Sequence, residues 1–91
     1  MKRIIGPRGT GKTKELMQMA QEDNALFVCA NPQAMRVKAH NYGFIGIDFV
    51  DYIEFMNGNY VEAPYVIDDL EGFIKAILYT DNLIGYTLGE E

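Results

Sequence analysis

Eight residues near the N-terminus, Gly6-Pro7-Arg8-Gly9-Thr10-Gly11-Lys12-Thr13, bring three glycines together with a lysine and a hydroxyl. They fit the pattern of a glycine, four residues of any kind, then Gly-Lys-Ser/Thr. Glycines reach backbone conformations closed to other residues, so successive N–H groups can turn toward one anion. A helix starting at the end of the loop adds its own free N–H groups and the positive end of its dipole. Lys12 is placed to set an ammonium on the outer phosphates of a polyphosphate, and the Thr13 hydroxyl is a hard oxygen ligand suited to Mg²⁺. At average residue frequencies the pattern arises by chance in so short a chain roughly a few times per thousand. Gly6, Pro7, Arg8, Gly9, Thr10, Gly11, Lys12 and Thr13 are therefore the candidate phosphate-binding residues. Lys14 follows in the same first turn and is counted with them, its side chain expected to point away along the helix.

A second group is Tyr65-Val66-Ile67-Asp68-Asp69-Leu70-Glu71, an apolar run that ends in acids. A strand ending in a carboxylate, laid beside the loop, would present Asp68 to the water shell of a Mg²⁺. A following acid would orient and activate an attacking water; Asp69 stands there, with Glu71 next. Acids at a strand end also cap the helix that follows, and that role competes for the same side chains.

The elements that must position these groups alternate. Ile4-Ile5 reads as a short strand entering the loop, and Leu16, Met17, Met19 and Ala20 form the apolar stripe of a helix after it, ended by Asp23-Asn24. Residues 25–30 are continuously apolar, as in a strand buried on both faces. Asn31-Pro32 starts a helix that runs to about His40, with Gly43 as its stop. Phe44–Ile47 is expected as a strand, and Asp48 as the cap of a helix burying Phe49, Tyr52, Ile53 and Met56. Tyr65–Ile67 is the next strand, and Leu70, Phe73, Ile74, Ile77 and Leu78 give a helical stripe. Leu83–Leu88 is expected as a last strand. Strands alternating with helices predict a parallel sheet covered by helices, with the loop at its carboxyl edge.

Gly6–Thr13 resembles a Walker A motif, and Tyr65–Asp69 resembles a Walker B motif, of the P-loop NTPases. An acid directly after the Walker B acid is similar to the branch with an additional strand and a catalytic acid, the AAA-type ATPases and helicases. The short chain with its Asn-Pro helix start is also similar to small ATPase-like proteins of bacteriophages and prophages. The resemblance implies a three-layer α/β/α sandwich, a minimal P-loop NTPase-like domain over residues 1–91 with a mainly parallel sheet of four or five strands. It implies ATP and Mg²⁺ as cofactors, Thr13 and Asp68 as metal ligands, and Lys12, Asp69 and Glu71 as catalytic groups. Asp69 is one methylene shorter than the family's usual Glu, and no arginine finger is available after Lys75. A protein partner or a second copy is then needed for fast hydrolysis. The family's Asn-Lys-x-Asp signature for guanine is absent, which favours ATP.

Charge is divided unevenly. Residues 1–40 carry seven Lys/Arg and three Asp/Glu, while residues 41–91 carry one Lys and ten acids. The basic half suits phosphate; the overall charge of −5 argues against unaided nucleic-acid binding. With no apolar run of membrane-spanning length and one cysteine, Cys29, a cytoplasmic protein without disulfides is expected. Three readings remain open: an ATP-binding protein with weak or partner-activated ATPase activity, an interaction module without catalysis acting on a phage or host partner, and a small kinase.

Overall fold

The computed structural model describes residues 1–7, 9, 11–58, 60, 62–79, 81–87 and 89. Its centre is a strand, β1 (Leu26–Cys29), paired in parallel with β2 (Phe49–Asp51) on one side and β3 (Tyr65–Ile67) on the other. Among the described residues four helices complete it: α1 (Lys12–Asp23), α2 (Pro32–Tyr42), α3 (Tyr52–Asn57) and α4 (Leu70–Leu78).

Strand alternation sorts the core into two layers. Phe27 and Cys29 of β1, with Phe49 and Val66, face Met17 and Ala20 of α1 and Ala39 of α2. Val28, with Leu26, Val50 and Ile67, faces Tyr52 and Phe55 of α3 and Phe73 and Ala76 of α4. Helices therefore cover both faces of the sheet. Because β1 is central, Phe27, Val28 and Cys29 have no exposed surface at all, as a continuously apolar strand requires. Burial and the charge of Asp68 push the Cys29 thiol up to about 11, which keeps it a protonated, buried hydrophobe.

Local chemistry sets the helix ends. Asn31 accepts from the Ala34 amide at 3.1 Å, Pro32 opens α2, and Gly43 closes it in a left-handed conformation (φ 86°). α1 ends on Asn24, also left-handed.

Several expectations need correction. Ile4-Ile5 forms no strand, and Ile5 is 77% exposed. Phe44–Ile47 is not a strand either; the strand begins at Phe49, two residues beyond Ile47, because Phe49 and Val50 are the pair that matches both core layers. Phe49 is thus a strand residue, and Asp51 rather than Asp48 caps the following helix, accepting from the Glu54 amide at 2.6 Å. That helix buries Tyr52, half-buries Phe55 and leaves Ile53 and Met56 exposed. Residues 83–87 form no strand, and Leu88 lies outside the described residues. Among the described residues the sheet has three strands rather than four or five.

Candidate phosphate-binding site

The helix that follows the loop begins on a glycine, which has no side chain to cap it. Gly11 is the N-cap of α1, left-handed at φ 80°, and no side-chain cap bond is made there. The first N–H groups of such a twelve-residue helix are suited to an external acceptor. Gly9 is also left-handed, at φ 85°, and space is open around both glycines. It is backbone conformation, not crowding, that demands glycine at these two positions. Arg8 and Thr10 lie outside the described residues.

Lys12 is half-buried, and its ammonium donates to the Gly6 carbonyl, so it folds back across the loop's entrance. Thr13 is half-buried beside it. Its hydroxyl donates to Asp68 Oδ1 at 3.3 Å, across 55 residues of sequence. The two side chains singled out as metal ligands are therefore brought together. Among the described residues no group of three or more His, Cys, Asp or Glu is arranged to hold a metal. A Thr–Asp pair fits Mg²⁺ in the form that arrives with phosphate, which keeps several waters and takes only one or two protein ligands.

Asp68 sits in the turn after β3, partly buried. Burial raises its pKa above the usual carboxylate range; the Thr13 hydrogen bond opposes this, the Asp69 charge adds to it, and Lys38 and Lys12 oppose it. A buried carboxylate that is costly to ionise gains most from a nearby cation. Its backbone is fixed by a residue that sequence reasoning placed only in the core. The Tyr52 hydroxyl donates to the Asp68 carbonyl at 2.7 Å and lies 3.3 Å from the Asp69 carbonyl. Burial and the two aspartates drive the Tyr52 phenol far above its ordinary pKa, so it stays a donor. The helical spacing that made Tyr52 a core residue carried no hint of this second role.

Asp69 and Glu71 are engaged elsewhere. Asp69 is left-handed (φ 62°) and caps α4, accepting from the Gly72 amide at 3.1 Å. A side chain at Gly72 would stand 2.5 Å from Asp69 Oδ2, so glycine there leaves room for the carboxylate. Glu71 pairs with Lys75 one turn on, at 3.2 Å. An open hollow of about 440 Å³ borders Asp69, lined also by Ala30, Asp51, Tyr52, Gly72 and Ala76. Lys14 points away from the loop, its ammonium 5.4 Å from the centre of the Tyr42 ring.

No protein-family model, curated protein or solved structure matches the chain. No helix among the described residues is long and apolar enough to cross a membrane.

Proposed function

We propose that the protein binds a nucleoside triphosphate, ATP, together with Mg²⁺, and hydrolyses it slowly unless a partner assists. The observation that carries this reading is the convergence of a helix start on Gly11, Lys12 and the Thr13–Asp68 pair. Each supplies one part of what a Mg-polyphosphate needs: N–H donors, a cation and two hard oxygen ligands. On this reading the fold is a reduced P-loop nucleotide-binding domain, similar to the small phage-encoded ATPase-like proteins, acting in the cytoplasm where Mg-ATP is abundant. A thermal-shift titration with ATP, ADP and GTP, with and without Mg²⁺, tests it. ATP with Mg²⁺ should raise the unfolding temperature most, because a ligand bound only by the native state stabilises it in proportion to ln(1 + [L]/Kd). Identical curves with every nucleotide and with none would remove the assignment and leave the interaction module.

Asp68 and Asp69 should separate on substitution. Asp68→Asn should lower the Mg²⁺ dependence of binding and yet stabilise the free protein near neutral pH. The sign follows from its raised pKa: the folded chain holds this proton at a pH where the unfolded chain has lost it. Wild-type stability therefore falls as pH rises from the ordinary carboxylate range through the raised value. Denaturant titrations should show the variant's advantage opening across that window and closing below it. Asp69→Asn preserves an acceptor for the Gly72 amide. It should leave binding and stability close to wild type and reduce only turnover. Equal binding losses in calorimetry for the two variants would refute this division of roles.

A further inference from the structure

The cap role expected of Asp48 falls to Asp51, and Asp48 borders a hollow instead. The hollow holds about 300 Å³, at the lower end of the range of small-molecule sites, and lies at the N-terminal ends of β1 and β2. That is the end of the sheet opposite Asp68, which follows the last residue of β3. Leu26, Val50 and Tyr60 give it apolar surface, and Arg36 of α2 joins Asp48 at its exposed rim.

The surrounding structure holds these groups in place. The Asp48 carbonyl accepts from the Phe27 amide at 2.8 Å, which fixes the residue beside β1. The Tyr60 ring stacks on Phe55, with centroids 5.9 Å apart and planes 7° from parallel. It also covers Gly58, where an added side chain would strike the ring. β2 is the edge strand on this side of the sheet. Since Asp48 turns its carbonyl toward β1, the amide and carbonyl of Phe49 turn to the open side. Arg36 reaches that carbonyl at 3.5 Å, a long contact that uses one of its several N–H donors.

Among the described residues no ion pair joins Arg36 to Asp48, so two opposite charges border one hollow without neutralising each other. An anion there meets the Asp48 carboxylate, and a cation meets the Arg36 guanidinium. A ligand carrying both charges satisfies both groups, and the apolar surface selects what else it carries. We propose that the hollow binds a free α-amino acid with an apolar side chain. Its carboxylate takes the Arg36 guanidinium and the Phe49 amide, and its ammonium takes Asp48. Its side chain lies against Leu26, Val50 and Tyr60. The site goes beyond the triphosphate reading and does not depend on it. Because the rim is exposed, water competes for both charges, and the affinity falls in the low millimolar range.

An NMR titration of the isotope-labelled protein with L-phenylalanine, without nucleotide, tests this beside two analogues that keep the ring. Hydrocinnamate lacks the ammonium, and phenethylamine lacks the carboxylate. The expected result is saturable shifts of the Arg36, Asp48 and Phe49 amides, with L-phenylalanine binding at least tenfold more tightly than either analogue. Asp48→Asn should abolish the preference over hydrocinnamate alone, and Arg36→Gln the preference over phenethylamine alone. Unchanged dispersion of the remaining amides checks that each variant is folded, and the comparison of ligands on the wild type stands without them. Equal affinities for the three compounds, shifts that never saturate, or preferences untouched by both substitutions would overturn the assignment.

Discussion

The purified protein at saturating Mg-ATP should release phosphate far more slowly than 1 s⁻¹, about the lower bound for ordinary phosphoryl-transfer enzymes. Phosphoryl transfer is accelerated mainly by charge placed against the transition state, and a supplied arginine is typically worth about 10³–10⁵ in rate. The chain has three arginines, Arg3, Arg8 and Arg36. Arg36 reaches across to the Phe49 carbonyl at 3.5 Å, at the start of β2 and so at the end of the sheet opposite Asp68. Arg3 precedes the loop by three residues, on the entering side of Gly6. Arg8 belongs to the loop and lies outside the described residues. The groups that would activate water are also restrained: Asp69 caps α4 and Glu71 pairs with Lys75. On the proposed reading, fast turnover calls for a cation from another chain. Phosphate release measured over a range of protein concentrations should be slow throughout, or rise with concentration if a second copy supplies that cation. Turnover of 1 s⁻¹ or more, independent of concentration, would show a self-sufficient ATPase.

Elements with strong local chemistry were legible from sequence. α2 is written by Asn31-Pro32 and Gly43, α4 by its apolar spacing, and β1 by an unbroken apolar run that only a central strand tolerates. The Thr13–Asp68 contact followed from two motifs 55 residues apart. What escaped was set by tertiary pairing. Phe44 and Ile47 are apolar enough for a strand, yet they pack at the margin of the first core layer, while Phe49 and Val50 take the place beside β1. One shift of register moved the cap from Asp48 to Asp51 and put Tyr52 against the Asp68 backbone. Asp69 illustrates a different limit: a cap and a catalytic acid need the same residue type, and only the Gly72 contact distinguishes them.

Lys12→Ala should weaken Mg-ATP binding at least tenfold while the protein stays folded. Neither core layer includes Lys12, and its hydrogen bond to the Gly6 carbonyl lies at the rim of the loop. The Thr13–Asp68 pair and the glycine-led start of α1 survive the change, so residual binding should remain. The lost part is the interaction of the ammonium with the outer phosphates, and a tenfold loss corresponds to about 1.4 kcal/mol. Isothermal titration of Mg-ATP into wild-type and Lys12→Ala protein measures this directly, with circular dichroism as a check on the fold. The account predicts saturable one-site binding by the wild type and at least tenfold weaker binding by the folded variant; equal affinities, or no binding by the wild type, would contradict it.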